Sequence, residues 1–204
     1  KYEKWHFLHL ATYLAILLAF SHQLKLGGDF NSRTFALYWY FLYLGVFGQL
    51  VYYRFLTPAL NFFKHGFYVD KLVEEMPGVL SCYIKGRELS NFKAEAGQFM
   101  IARFLNKKIW WQAHPFSISC SPAGQYLRLT IKALGDFTAT LKNNLKPGDK
   151  VLLDGPHGVF TLKTSERDKL LFIAGGVGIT PIRAVLEEAL LNGRQAILLY
   201  GNRT

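Results

Sequence analysis

Leu170-Leu171-Phe172-Ile173-Ala174-Gly175-Gly176-Val177-Gly178-Ile179-Thr180-Pro181 decides how the rest of the chain is read. An apolar run of strand character enters a glycine loop, and the amphipathic stretch 181–191 follows with Pro181 expected at its first position. Proline is tolerated there because the first N–H groups of a helix have no intrahelical acceptor. Residues 196–200 are a second apolar strand, so this part of the chain predicts a strand–helix–strand unit with parallel strands. The Gly176-x-Gly178-x-x-Pro181 pattern is weak by itself, since glycines also mark plain turns. Its place between strand and helix is more telling, because free amides at the positive end of a helix can take a pyrophosphate. Gly176, Gly178, Ile179, Thr180 and Pro181 are therefore the candidate nucleotide contacts. Arg203, two residues past Gly201, is placed to meet an adenosine ribose or its phosphate; a solvated arginine is the competing reading.

Upstream, turn residues at Pro77-Gly78, Lys85-Gly86-Arg87, Pro122-Ala123-Gly124, Pro147-Gly148-Asp149 and Gly155-Pro156 divide short alternating stretches. Strands over 67–72, 79–85, 98–104, 114–119, 127–133 and 150–154 predict an antiparallel β-barrel, with a short helix over 138–145 closing one end. His114-Pro115-Phe116-Ser117 lies on one of these strands. A flavin needs a ring platform, a donor near its reactive nitrogen, and cations or amides for its pyrophosphate. Alternate residues of a strand share a face, so one strand can meet several of these demands. Phe116 is the candidate platform, Ser117 the catalytic candidate bonding to the reactive edge, and His114 reaches toward the ribityl-phosphate side beyond Pro115. Taken alone, the same four residues are any strand with a proline at its edge. The following strand carries Lys132, and Gly135-Asp136-Phe137-Thr138 then opens a helix, which presents amides and a hydroxyl to a phosphate. Lys132, Gly135, Phe137 and Thr138 complete the candidate FAD set.

Residues 5–24 and 35–53 contain no Asp, Glu, Lys or Arg. Each run is long enough as a helix to cross the roughly 30 Å of a bilayer's hydrocarbon. Tyr38, Trp39, Tyr40, Tyr43, Tyr52 and Tyr53 crowd toward the ends of the second, at headgroup level for a spanning helix. Two buried core helices are the alternative. Lys1, Lys4, Arg54 and Lys64 flank the outer ends, against Lys25, Arg33 and Asp29 in the connection, a weak bias toward cytoplasmic outer ends. His9 and His22 lie inside the first run, where ionisable groups are costly enough to suggest function. Thirteen steps leave them about 140° apart around the helix, so spacing does not place both on one face, and pairing with polar groups of neighbouring helices is the plainer reading. His6 reads as interfacial.

The net charge of +10 is spread over many short stretches without a basic stripe, which argues against nucleic acid and for a face near anionic lipid. Cys82 and Cys120 are too few and too far apart for a metal pattern or a disulfide framework.

Taken in order, these pieces resemble the NADPH oxidase and ferric reductase family of transmembrane flavocytochromes, in a bacterial form. The resemblance runs over essentially the whole chain: His9 and His22, Gly97-Gln98-Phe99, Trp111 ahead of His114-Pro115-Phe116-Ser117, Gly135-Asp136-Phe137-Thr138, Asp154-Gly155-Pro156-His157-Gly158, and Gly176 to Pro181. Soluble ferredoxin reductases usually carry Arg in place of His114 and Tyr in place of Phe116, which favours the membrane branch. The resemblance implies three parts: the last two helices of a haem domain (1–62), a ferredoxin-reductase-like FAD-binding β-barrel (63–165), and the start of an α/β NAD(P)-binding domain (166–204). It implies FAD, NADPH or NADH, and two b-type haems, with His9 and His22 as axial iron ligands of the inner and outer haem. Each haem needs a second ligand from another helix, and residues 35–53 hold no histidine, so the chain reads as the middle of a longer polypeptide. The implied setting is multi-pass in a bacterial inner (plasma) membrane, with both nucleotide domains cytoplasmic and dioxygen or ferric iron as acceptor. A membrane-anchored flavin subunit handing electrons to a partner protein is the alternative.

Overall fold

A computed structural model describes residues 2–122 and 125–202. The chain divides into two units, Lys1–Tyr52 and Tyr53–Thr204. In the first, helix α1 (Tyr2–Leu26) and helix α2 (Arg33–Val51) are joined through a short 3-10 turn at Gly28–Asn31. The Tyr43 hydroxyl donates to Gln23 Oε1 at 2.8 Å, and the Phe20 and Tyr43 rings lie 4.3 Å apart. These contacts tie the helices together while Leu14, Leu17, Leu18, Phe41 and Leu44 stay exposed.

Pro58 marks a change of texture in the sequence, yet the helix does not stop there. A single π turn (Tyr52–Leu56) leads without a break into helix α3 (Thr57–His65), with Pro58 as its second residue. Gly66 ends the helix in the left-handed region at φ 57°, its N–H bonded to the Phe62 carbonyl. Among the described residues, Arg33–His65 is the helical stretch long and apolar enough, by length and composition, to cross a membrane.

The second unit holds two three-stranded antiparallel sheets. Strands β1 (Tyr68–Met76), β2 (Val79–Lys85) and β5 (Leu127–Lys132) form one, in the order β1-β2-β5. Strands β3 (Phe99–Phe104), β4 (His114–Ser117) and β6 (Val151–His157) form the other, in the order β4-β3-β6. The expected closed barrel is not formed: the sheets meet through single bridges, Tyr68–Lys150 at one seam and Ile118–Leu129 at the other. The sequence explains part of the break, since Pro115 cannot donate to a ladder and β1 is interrupted by register shifts at Val69/Lys71 and Glu74/Met76. Between the sheets Phe67, Ile84, Met100, Phe104, Ile118, Leu127, Leu129 and Leu153 are fully or almost fully buried. Helix α4 (Asp136–Asn144) adds Phe137 and Leu141 to this core, starting two residues before the stretch read from the sequence. Burial, and then Asp149, pushes the Cys82 thiol up to about 12, as befits an apolar filler.

Strand β7 (Lys169–Gly175), helix α5 (Ile179–Leu191) and strand β8 (Gln195–Gly201) form the parallel unit, paired from Lys169/Gln195 to Gly175/Gly201. Pro181 is the third helical residue rather than the first, because Gly176–Gly178 already winds as a 3-10 turn and starts α5 early. Proline is still tolerated, as the third N–H also lacks an intrahelical acceptor. Ala184, Val185 and Ala189 of α5 bury against Phe172, Leu162 and Ala96. Gly97 makes this approach feasible: at φ 89°, a Cβ there would stand 1.9 Å from the Phe160 carbonyl oxygen and 2.7 Å from Val185 Cγ2.

Candidate functional site

The weak seam between β4 and β5 lies where the sequence places the flavin. Past the Ile118–Leu129 bridge and the Ser119 N–H bond to the Arg128 carbonyl, no ladder pairs β4 with β5 among the described residues. His114–Ser117 is thus a strand with one edge paired to β3 and the other open. His114 and Phe116 share one face of β4, opposite Ala102 and Met100, while Pro115 and Ser117 share the other. Phe116 is half-buried, one side of its ring against the core and 6.5 Å from Phe104. The Ser117 hydroxyl bonds to no other group among the described residues.

His114 is fixed from two sides. Its ring stacks on Phe137 at 4.1 Å, and its Nε2 lies 3.1 Å from Gln112 Oε1. Phe137 is largely buried beneath the His114 ring. At the start of α4, the Thr138 hydroxyl accepts from Gly135 N and Leu134 N and donates to the Gly135 carbonyl. That hydroxyl caps its own turn instead of projecting free, and the first-turn amides have no intrahelical acceptor.

Lys132, at the end of β5, lines an open cavity of about 470 Å³ together with Gly176, Gly201 and Asn202. The cavity lies outside the carboxyl ends of the parallel strands, the usual place for a ligand in an open α/β sheet. A Cβ at Gly135, Gly175, Gly176 or Gly178 would meet nothing within 4 Å, so bare backbone faces open space on both sides. This is room for a phosphate chain close to amides, and the residues present fit FAD and a nicotinamide dinucleotide. Gly178 caps α5, Thr180 bonds back to the Val177 carbonyl at 3.0 Å, and Tyr200 donates to the Gly176 carbonyl at 3.3 Å. Ile179 and Pro181 are partly buried in the first turn. Asn202 and Tyr200 had no motif to announce them; their position at the tip of β8 was the available signal. Arg203 lies outside the described residues.

His9 and His22 are both on α1 and exposed; the His9 ring stacks on Trp5 at 4.9 Å. Each is free to offer one ligand, and the chain holds no histidine on α2 to complete a pair. By themselves these residues do not make a haem site.

Residues 77–161 match the family profile of an FAD-binding domain, and 172–204 that of an oxidoreductase NAD-binding domain. Over 144 residues the chain is 32% identical to a flavohemoprotein of Candida albicans, covering 68% of this chain. It is 30% identical over 161 residues to respiratory burst oxidase homolog protein A of Solanum tuberosum, covering 66% of this chain. The chain carries the FAD-binding and NAD-binding domains of an oxidoreductase, and is related to respiratory burst oxidase homologs and flavohemoproteins. Another relative, putative respiratory burst oxidase homolog protein G of Arabidopsis thaliana, is 28% identical over 211 residues covering 92% of this chain. The chain spans 36%, 16% and 23% of the lengths of these three relatives. The fold is similar to that of the flavohem-like FAD/NAD-binding domain of nitric oxide dioxygenase from Vibrio cholerae. That structure is 26% identical, with a TM-score of 0.57 over 68% of this chain and 62% of its own.

Proposed function

We propose that the protein is a transmembrane oxidoreductase that moves electrons from NAD(P)H through FAD and two b-type haems to dioxygen or ferric iron. The observation that carries the flavin half is the meeting, in one unit, of the open β4 edge, the capped start of α4 and the glycine loop of α5. Bound FAD supplies the junction between a two-electron hydride donor and one-electron acceptors. Phe116 offers the ring platform and Ser117 an uncommitted hydroxyl for the flavin's reactive edge. His114, braced by Phe137 and Gln112, faces the ribityl-phosphate side, and Lys132 with the α4 amides balances the phosphate charge. Gly176, Gly178, Ile179, Thr180 and Pro181 give the dinucleotide a close backbone approach at the start of a helix.

The membrane half is supported by the apolar Arg33–His65 helix, by the bare apolar sides of α1 and α2, and by a respiratory burst oxidase relative whose match takes in 92% of this chain. In this reading His9 and His22 each give one axial ligand, the opposing ligands coming from further helices of the same polypeptide. The setting is a bacterial inner (plasma) membrane with the second unit cytoplasmic.

The test is the reduced-minus-oxidised absorption spectrum of the full-length protein in membranes, with NADPH and with NADH. Two low-spin b-type haems reduced by nicotinamide are expected. Flavin reduction with no haem signal would instead identify a membrane-anchored flavin subunit that hands electrons to a partner protein.

A further inference from the structure

Resting on that reading, we infer that Glu187 is a positioning residue for hydride transfer, locking the nucleotide-bearing helix α5 to the strand that carries Phe116 and Ser117. Glu187 Oε2 accepts the backbone N–H of Ser121 at 2.9 Å, and its Oε1 lies 3.1 Å from Arg183 Nε and 3.9 Å from Arg128 Nη2. Arg128, on β5, is only 5% exposed. Its Nε donates to Ser119 Oγ at 3.1 Å, its Nη2 donates to the Ser119 carbonyl, and the Ser119 hydroxyl bonds the Arg128 carbonyl at 3.0 Å and Thr130 Oγ1 at 2.8 Å. A buried guanidinium persists only when paired and bonded, and here its partners are the segment leaving β4 and the carboxylate of α5.

The network is a joint between two lever arms. From Glu187 to the helix start at Ile179 is eight residues, about 12 Å of α-helix. From Ser121 back to Ser117 is four residues, about 13 Å of extended chain. Arms of that length turn a rotation of about 5° at the joint into a displacement of about 1 Å where hydride donor and acceptor meet, and such a misplacement can cost about a hundred-fold in rate. On the other side of α5, Gly97 seats Val185 and so prevents sliding, but it leaves rotation about that contact to be stopped elsewhere. Glu187 is the group placed to stop it.

The experiment compares the FAD-loaded protein with its Glu187→Ala, Glu187→Gln and Arg183→Ala variants. It reads the single-turnover rate of flavin reduction at saturating nicotinamide, the FAD and nucleotide dissociation constants, and amide hydrogen exchange without nucleotide. Glu187→Ala should slow hydride transfer about ten- to a hundred-fold while both dissociation constants stay within about three-fold. Exchange should quicken at Ser121 and in the middle of α5, and not across the β-sheets. Glu187→Gln keeps an oxygen for the Ser121 N–H and should recover both the protection and most of the rate. Arg183→Ala removes an exposed pair on the helix surface and should change neither. Parent-like hydride transfer in Glu187→Ala overturns the proposal, as does a loss explained by weaker FAD binding or by exchange rising throughout the unit. A parent protein that binds FAD yet accepts no hydride from either nicotinamide overturns the functional reading itself, and the positioning role with it.

Discussion

Phe116 is half-buried against the core on a strand with one open edge, so in the proposed site truncating it removes a ligand platform and only part of a core contact. Phe116→Ala should weaken FAD affinity by at least several-fold, the equivalent of about 1 kcal/mol for a lost aromatic stack, read by flavin fluorescence on dilution. Glu188 offers a different test. Burial, and then the neighbouring Glu95, raise its pKa against the opposing pull of Lys163, the Ala96 amide and Arg194, and its Oε2 is buried without a hydrogen-bond partner. A carboxyl whose folded pKa is raised contributes stability that is present below its unfolded value and is lost as pH rises through the folded one. Glu188→Gln should therefore gain on the parent in melting temperature as pH climbs out of the ordinary glutamate range, and the gain should level off once Glu188 is fully ionised. At this scale the sequence was partly legible. His114 and Phe116 were readable as neighbours on one face because alternation along a strand is local, and the same alternation turns Ser117 to the other face. That Phe137 lies under His114, or that the Thr138 hydroxyl turns inward, depends on contacts between segments distant in the chain or on cap geometry, and neither is written in residue type.

The start of α4 shows how an element can carry two duties with one side chain. The Thr138 hydroxyl holds the Gly135 and Leu134 amides in the turn whose first N–H groups the proposed reading aims at the FAD phosphates. Thr138→Val should cost about 1 kcal/mol of stability as a lost cap, a fall of roughly 2–4 °C in melting temperature for a unit of this size. It should also loosen FAD retention, and a variant with unchanged flavin affinity would show that the cap and the phosphate site are independent. Most elements were legible from turn residues and periodicity: β2 has the bounds read from the sequence, and β3, β5, β7 and β8 shift by a residue at one or both ends. Larger differences fall at β1, which runs on to Met76, at β4, which stops at Ser117, and at β6, which runs on to His157, and others arise at prolines. Pro58 and Pro181 look like helix boundaries, yet each lies just past a π or 3-10 segment, and a one-residue change of winding leaves no mark in composition.

For the whole molecule, alternation on β7 and β8 sends Phe172, Ala174, Ala196 and Leu198 toward α5 and Leu171, Ile173, Ile197 and Leu199 outward, all four of the latter more than half exposed. Parallel sheets are normally covered on both faces, so this surface is sticky in the 204-residue chain. Replacing Ile173 and Ile197 together by Thr keeps β-propensity while removing apolar area. The double variant should bind less hydrophobic dye and stay in solution at higher concentration, without a lower melting temperature. Hydropathy and turn spacing change after Pro58 and again from Lys169, whereas the structure divides the chain between Tyr52 and Tyr53 and keeps all that follows in one unit. The unclosed seam was not legible, since six strands of similar length suit a continuous ladder as well as a split one.

That seam bears on more than catalysis. A strand with an open edge is a docking rail for the strand of any other chain that meets it. A flavin seated along β4 would block that rail, so the ligand would act as a guard against self-association as well as an electron carrier. Flavin supply would then decide how many copies survive folding as monomers, and a shortage would be felt first as clumped protein and only afterwards as slow turnover.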